Sequence, residues 1–128
     1  MNDFEFDDYL EAQVKVPGAV SEVILALPED LDLAEISLSQ DYLNSIQDFI
    51  NSADLWLPKA EGAIKAELSA EISLRLVRIY VLSDQDETEM IFGLSFWVSA
   101  DIEHGRGMKM AMQDFNIVEY GLAELAFC

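Results

Sequence analysis

The sequence predicts an α+β domain in which two central helices pack on a mostly antiparallel sheet. Apolar residues recur at helical spacing in the middle of the chain and alternate with a period of two in the second half. Apolar runs on both sides of the turn dipeptide Pro17-Gly18 predict an N-terminal hairpin with strands over 11–16 and 20–27. The hairpin is followed by the helices and then by a meander of about four strands, an arrangement in which helices lie on one face of the sheet.

Residues 1–128 are assigned to a single domain. A chain of this length buries roughly 65% of its extended surface on folding, and 52% of its residues are hydrophobic. No internal repeat, low-complexity tract or linker divides it. The chain is therefore long enough for one core and too short for two ordinary domains.

Two amphipathic helices are predicted in the middle of the chain. Ser39 is of the residue type that caps helix N-termini, and it precedes a first helix over 40–52. The apolar residues of this helix are Leu43, Ile46, Phe49, Ile50 and Ala53. Those of the second helix are Leu57, Ala60, Ile64, Leu68 and Ile72. Pro58 predicts that the second helix begins nearby, because proline is tolerated in a first turn.

Period-two alternation predicts four strands in the second half. Residues 74–82 carry apolar side chains in both alternating sets, which is typical of a central strand covered on both faces. Residues 90–98 form the next strand, the methionines at 108, 110 and 112 alternate in a third, and residues 117–121 form a fourth. The order of the strands in the sheet is left open by this pattern.

The charge of the chain restricts its partners. It has 25 acidic and 7 basic residues, a formal net charge of -18 and a pI near 4.1. Such a surface repels nucleic acid and anionic lipid, and it accelerates encounters with basic proteins by long-range attraction. We therefore expect no nucleic-acid partner; solubility alone is the other explanation of the charge.

The single cysteine and the N-terminus indicate a soluble cytoplasmic protein. Cys128 excludes an internal disulfide and a zinc site made of several thiolates. The first residues lack the basic start and apolar run of a secretory signal, and no stretch approaches the roughly 18 apolar residues of a membrane span. We expect neither a membrane partner nor a bound cofactor.

The one histidine of the chain lies in a short acidic segment. Asp101 and Glu103 flank His104, a combination that suits general-base catalysis or a metal-assisted hydrolase. On a turn between two strands, however, these three side chains are expected to point in different directions. No second histidine or internal cysteine completes a zinc site.

The glycines of the same segment favour a structural turn. Gly105 and Gly107 allow a positive φ angle at a tight turn or bulge, with Arg106 expected to extend into solvent. The sequence also has no nucleophile elbow, phosphate-binding loop or dinucleotide fingerprint. We therefore expect no catalytic residue and no metal site, and we predict that the protein is not an enzyme.

A second acidic segment lies between two predicted strands. It contains Asp84, Asp86, Glu87 and Glu89 but lacks the central glycine and the distal glutamate spacing of a calcium-binding EF-hand loop. A solvated hairpin tip is the favoured interpretation. Such a tip is a natural contact for a basic partner.

The segment Glu103-His104-Gly105-Arg106-Gly107, between the predicted strands 91–98 and 108–112, supports a resemblance to a known group. It resembles small acidic bacterial proteins whose C-terminal halves carry an Asp-x-Glu-His-Gly-x-Gly turn between two sheet strands. That group is associated with polymorphic toxin and contact-dependent competition systems. The resemblance implies an immunity protein, and it implies no catalytic role for the motif.

The charge and the resemblance lead to one expected function. The protein is expected to neutralise a cognate toxin that has a basic cleft, by binding it directly. The expected contact residues are Asp84, Asp86, Glu87, Glu89, Asp101, Glu103, His104 and Arg106. The alternatives are the metal-assisted hydrolase built on Asp101, Glu103 and His104, and a regulatory adaptor that binds another basic protein. If they are exposed, the apolar residues Phe4, Phe6 and Trp56 could equally serve a homodimer, although Trp56 lies within an apolar run that favours a core position.

Overall fold

The computed structural model describes residues 4–7, 10–28, 39–83 and 89–127. These residues form six strands, two α-helices and a C-terminal 3-10 helix. In chain order the elements are β1 (Glu11–Val14), β2 (Val23–Ala26), α1 (Gln40–Asn51), α2 (Ala53–Glu67), β3 (Leu74–Val81), β4 (Ile91–Val98), β5 (Arg106–Ala111), β6 (Asn116–Gly121) and the 3-10 helix (Ala123–Ala126). No helix in this described part of the chain is long and apolar enough to span a membrane.

All six strands belong to one sheet, in the same order as in the sequence. Neighbouring strands are antiparallel except β2 and β3, which are parallel. Parallel neighbours need a long crossover connection, and α1 and α2 lie in that connection. The predicted α+β class with a mostly antiparallel sheet is confirmed. The sequence predicted one sheet made of an N-terminal hairpin and a meander of about four strands but left the strand order open; in the structure the sheet has six strands, and the parallel β2–β3 contact joins hairpin and meander.

The helices cover one face of the sheet, and an aromatic stack lies at the centre of that interface. The ring of Phe49 lies between those of Trp56 and Phe92, with centroid distances of 4.6 and 3.9 Å. The indole N–H of Trp56 donates to the carbonyl oxygen of Phe49 at 2.6 Å. Trp56 is fully buried, so it has the core position that the sequence favoured and does not belong to a homodimer surface.

The start of α1 agrees with the sequence prediction, whereas the start of α2 lies earlier in the chain than predicted. The Ser39 hydroxyl accepts a hydrogen bond from the amide of Tyr42 at 3.1 Å, which confirms the predicted N-cap of α1. α2 begins at Ala53, so Pro58 lies inside the helix and not in its first turn. Burial of Ala53, Trp56 and Leu57 on the same helical face outweighs the backbone hydrogen bond that proline cannot donate.

The C-terminal 3-10 helix lies on the opposite face of the sheet, against β4 and β5. A Cβ atom on Gly93 would be 1.7 Å from the carbonyl oxygen of Ala126, and one on Gly107 would be 2.8 Å from that of Ala123. Both glycines therefore permit a close approach of two backbones. β3 is less covered on this face, where Arg75 is exposed. The expectation that β3 is covered on both faces is met only in part.

Candidate functional site

The acidic histidine segment forms the turn between β4 and β5, over residues 99–105, here called the β4–β5 turn. The amide of Gly105 donates to the carbonyl oxygen of Asp101 at 2.8 Å, and Gly105 has a φ angle of 63°. A Cβ at this position would be 2.4 Å from the carbonyl oxygen of Phe96. Gly105 therefore has the turn role that the sequence predicts. Gly107 does not have a positive φ; it provides space for the 3-10 helix instead.

Asp101 and His104 lie together within this turn. Oδ1 of Asp101 accepts from the His104 amide at 3.3 Å and lies 2.9 Å from Nδ1 of the imidazole. The expectation that these two side chains point in different directions is wrong, because a turn of this length brings residues i and i+3 onto the same side. Glu103 is exposed, and it acts on His104 only through its charge.

Arg106 is the most connected side chain of the site. Its Nη1 donates to Oδ2 of Asp101 at 2.8 Å and to the carbonyl oxygen of Gly105 at 2.7 Å. Its Nε and Nη2 donate to the two carboxylate oxygens of Glu67 at 2.8 and 3.2 Å, a bidentate pair. The side chain is only 11% exposed. The expectation of a solvent-extended arginine is therefore wrong.

The register of β5 explains why Arg106 faces inward. Arg106 occupies the same face as Met108, two residues further along the strand, and Met108 is fully buried on the helix side. The end of α2 lies over this position and supplies Glu67. Sequence reasoning missed Glu67, because no local pattern links the last residue of a helix to a strand that follows much later.

Tyr120 completes the group from β6. It is paired with Met108 across the β5–β6 ladder and therefore lies on the same face. Its hydroxyl donates to Oε1 of Glu67 at 2.5 Å. Glu67 thus accepts hydrogen bonds from both Arg106 and Tyr120. The group of Glu67, Asp101, His104, Arg106 and Tyr120 is called the arginine cluster below.

The contacts of the arginine cluster shift the pKa values of its carboxyl and imidazole groups in the directions that favour their charged forms. Hydrogen bonds from Arg106 lower the pKa of Asp101 and that of Glu67, and Tyr120 lowers the latter further. Its hydrogen bond to Asp101 raises the pKa of His104. Burial and the bond to Glu67 raise the pKa of Tyr120, which keeps its proton on the hydroxyl. Both carboxylates are therefore ionised at neutral pH.

The contacts of the cluster brace the β4–β5 turn against α2. Both carboxylate oxygens of Asp101 are engaged, one by His104 and one by Arg106. Within the described part of the chain, no three histidine, cysteine, aspartate or glutamate side chains are placed to hold a metal ion. Asp101, Glu103 and His104 therefore do not form the metal site that the hydrolase alternative requires.

The braced turn presents an apolar side chain to solvent. Ile102 is 66% exposed, and it lies between Asp101 and the exposed Glu103. Leu122 is also exposed; it precedes Ala123, whose amide donates to the carbonyl oxygen of His104 at 3.1 Å. Sequence reasoning missed Ile102, although an isoleucine between two acids in a turn is itself a signal of an exposed apolar contact.

Of the second predicted contact segment, the structure describes only Glu89. Asp84, Asp86 and Glu87 lie outside the described residues. Glu89 is exposed, and its carbonyl oxygen accepts from the hydroxyl of Ser83 at 3.0 Å. Glu89 precedes β4, whereas the β4–β5 turn follows it. About 25 Å of strand therefore separates Glu89 from the β4–β5 turn, since a strand rises roughly 3.3 Å per residue.

Comparisons of the chain with protein-family models, curated proteins and solved structures find no match.

Proposed function

We propose that this protein binds and neutralises a basic toxin as an immunity protein, without catalysis of its own. The observation that carries the proposal is the β4–β5 turn, which holds Ile102, Glu103 and His104 at the surface on a braced backbone. An exposed apolar side chain surrounded by acids is the surface that a basic protein with an apolar pocket would recognise.

Bracing of the turn favours tight binding. A loop that must become ordered on association loses affinity, because fixing its backbone and side chains costs free energy. In the β4–β5 turn that cost is already met in the free protein, since Arg106 ties Asp101 and Gly105 to Glu67 on α2. Arg106 is thus a positioning residue in this proposal and not a contact residue.

The net charge supports the class of partner. A formal charge of -18 attracts a basic cleft over distances greater than direct contact and raises the association rate at low salt. An acidic protein bound over a basic cleft also competes with any phosphate substrate of the toxin. We expect the association rate to fall steeply as salt concentration rises.

The distance of Glu89 from the β4–β5 turn refines the assignment of the contact residues. The β4–β5 turn and Glu89 lie at opposite ends of β4. We assign the central contact to the β4–β5 turn and place Glu89 in a peripheral role, while Asp84, Asp86 and Glu87 stay predicted contacts outside the described residues. Peripheral charges mainly change association rates, whereas a buried central apolar residue changes dissociation rates.

Co-expression with the product of the neighbouring open reading frame tests the function. Growth rescue together with a 1:1 complex on co-purification is the expected result. A complex without growth rescue would favour the adaptor alternative. Absence of both rescue and complex would remove the immunity assignment.

The variant Ile102→Asp tests the contact assignment within that complex. We expect a loss of affinity of at least tenfold, about 1.4 kcal/mol, because the variant removes a central apolar contact and places a carboxylate in the apolar pocket of the partner. Leu55→Asp is the matched control, since Leu55 is 64% exposed on α2 and Ile102 is 66% exposed. Dissociation constants from surface plasmon resonance that are equal for the two variants would contradict the assignment.

A further inference from the structure

Arg75 is an exposed arginine on the face of the sheet opposite to α1 and α2. It is paired with Trp97 across the β3–β4 ladder, so the two side chains lie next to each other on that face. The guanidinium carbon of Arg75 lies over the Trp97 ring, 5.6 Å from the ring centroid, which is a cation–π contact. Trp97 is half-buried, so part of its indole stays at the surface. These two side chains are called the Arg75–Trp97 pair below.

The guanidinium of Arg75 differs from the other two of the chain in having no carboxylate partner. Arg78 pairs with Glu11, and Arg106 pairs with Glu67. Within the described part of the chain, no carboxylate is placed to form an ion pair with Arg75. A shortage of acids is not the reason, since the chain has 25 acidic residues and 7 basic ones. The N–H donors of Arg75 are therefore available to an acceptor outside the chain.

The end of the sheet beside the Arg75–Trp97 pair is fixed by two hydrogen bonds. The amide of Ser99 donates to the carbonyl oxygen of Ser73 at 2.9 Å, and the amide of Ser73 donates to the Ser99 hydroxyl at 2.9 Å. Each member of the pair lies two residues further into its strand. The contact with the ring also restricts the long arginine side chain, which lowers the entropy that it loses when an acceptor binds.

We propose that the Arg75–Trp97 pair binds a carboxylate side chain of the partner protein, with the guanidinium bonding the carboxylate and the exposed part of the indole packing on its apolar stem. An arginine presents its donors in a fixed fork that matches the two oxygens of a carboxylate. Arginine and tryptophan are also enriched among the interface residues that dominate binding energy. The ligand is thus an aspartate or glutamate on the surface of a protein.

The net charge of the chain indicates which kind of protein carries that carboxylate. A charge of -18 repels a partner that is acidic overall, whereas a basic partner is attracted as a whole while its one carboxylate meets Arg75. Trp97 lies two residues before the β4–β5 turn, roughly 7 Å along the strand. The inference therefore rests on the proposed function, and it extends the contact surface from the turn to the face of the sheet opposite to the helices.

The pair gives the contact surface a means of selecting its partner. A partner that covers Arg75 without supplying a carboxylate removes water from the guanidinium and leaves its donors unsatisfied, which costs binding free energy. A partner with a carboxylate at that position avoids the cost. Arg75 is therefore a specificity-determining residue, because it disfavours basic proteins that lack the matching acid.

Charge reversal at Arg75 tests the inference in the complex with the product of the neighbouring open reading frame. Arg75→Glu makes the protein more acidic, so net charge alone predicts tighter binding to a basic partner. The inference predicts the opposite result, a dissociation constant at least tenfold higher, because two carboxylates would then face each other. Isothermal titration calorimetry of the complex measures the change.

Lys59→Glu is the matched control for charge. Lys59 is exposed on α2, on the helix side of the sheet, and the substitution changes the net charge by the same amount. This variant should bind the partner as tightly as the wild type or more tightly. If Arg75→Glu binds as tightly as Lys59→Glu, the inference is overturned, while a complex that is still weakened by Ile102→Asp leaves the proposed function in place.

An NMR titration of the free protein with hydrocinnamate tests the site without the partner, since this probe carries a carboxylate on an aromatic stem. At physiological salt we expect saturable shifts of the Trp97 indole N–H and the Arg75 Nε–H resonances. Arg75→Met keeps the apolar stem without the charge and should bind the probe at least fivefold more weakly. The neutral analogue hydrocinnamyl alcohol should bind the wild type more weakly by a similar factor.

The titration separates failure of the inference from failure of the proposed function. Equal binding of the acid and the alcohol, or equal binding of the acid to wild type and Arg75→Met, would overturn carboxylate recognition even where the partner complex forms. Binding that is specific for the acid, together with the absence of a complex, would overturn the immunity function and leave the Arg75–Trp97 pair as a carboxylate site.

Discussion

The β4–β5 turn and the N-terminal segment of residues 4–7 both lie close to an arginine–carboxylate pair, yet only the turn is held by its pair. At the turn, Arg106 bonds Asp101, Glu67 and the Gly105 carbonyl with only 11% of its side chain exposed. Near the N-terminal segment, Arg78 pairs with Glu11, and both side chains are about 30% exposed. The same chemical pair thus occurs in two different environments.

The difference shows that the number of hydrogen-bond partners and their burial decide how much an ion pair contributes to the stability of the fold. An exposed pair gains little, because water screens its charges and because both side chains lose conformational freedom. An arginine with several fixed acceptors joins separate elements, and its loss leaves each acceptor without a donor. We therefore expect the contacts of Arg106 to keep the turn in its shape in the free protein, and the Arg78–Glu11 pair to contribute less to stability.

The largest loss of stability is expected from a change at Gly93, where the C-terminal 3-10 helix packs on the face of the sheet opposite to α1 and α2. Gly93→Ala places a Cβ 1.7 Å from the Ala126 carbonyl oxygen, and it should lower the free energy of unfolding by about 2–3 kcal/mol through overpacking. Gly62→Ala is the matched control on α2, where no atom lies within 4 Å of the new Cβ; it should stabilise by about 0.5–1 kcal/mol. Urea denaturation of both variants measures the difference, and two changes of the same sign would contradict this packing.

Arg106→Met and Arg78→Met test the comparison most sharply. The Arg106 variant should lose about 2 kcal/mol of unfolding free energy, because three hydrogen-bonded acceptors lose a charged donor. The Arg78 variant should lose less than about 1 kcal/mol, as exposed pairs do. Methionine keeps much of the apolar stem in both cases. Equal losses in thermal or urea denaturation would show that the extra partners of Arg106 are inconsequential.

The smallest effect concerns the pH dependence of the turn. Asp101 raises the pKa of His104 above its ordinary value of 6.5. The stabilisation from the His104–Asp101 pair is therefore fully present below pH 6.5 and is lost as pH rises through the folded-state pKa. The reciprocal effect lowers the pKa of Asp101, so its contribution is lost only in acid, as pH falls through that lowered value.

Two measurements check this pH dependence. The stability difference between wild type and His104→Ala should be larger near about pH 5.5 than near about pH 8.5. An NMR titration should place the His104 pKa above that of the same residue in the variant Asp101→Asn. A His104 pKa that is the same in both proteins would show that Asp101 does not raise the pKa of the imidazole.

The sequence predicted local elements well because their causes are local. Helical spacing and the capping side chain of Ser39 specify the start of α1, and alternation specifies the strands of the meander. The start of α2 was predicted too close to Pro58. The burial of Trp56 and Leu57, which extends the helix back to Ala53, depends on the sheet beneath them. The order of the strands depends on the β2–β3 contact, which no local pattern encodes.

The candidate site was predicted only in part for the same reason. The positive φ of Gly105 follows from the turn itself, and the pattern indicated it. The inward direction of Arg106 depends on Glu67 and Tyr120, which come from α2 and β6. A solvent-facing arginine is the usual outcome for that residue type, and only the tertiary fold reverses it.

Amide hydrogen exchange of the free protein, read by NMR, tests most directly whether the turn is preformed. The Gly105 amide, bonded to Asp101, and the Ala123 amide, bonded to His104, should exchange slowly. The Asp7 amide, bonded to Glu11 beside the strained Leu10, should exchange quickly although its hydrogen bond is equally short. Fast exchange at Gly105 and Ala123, or protection at Asp7 equal to theirs, would contradict a turn that is held ready for its partner.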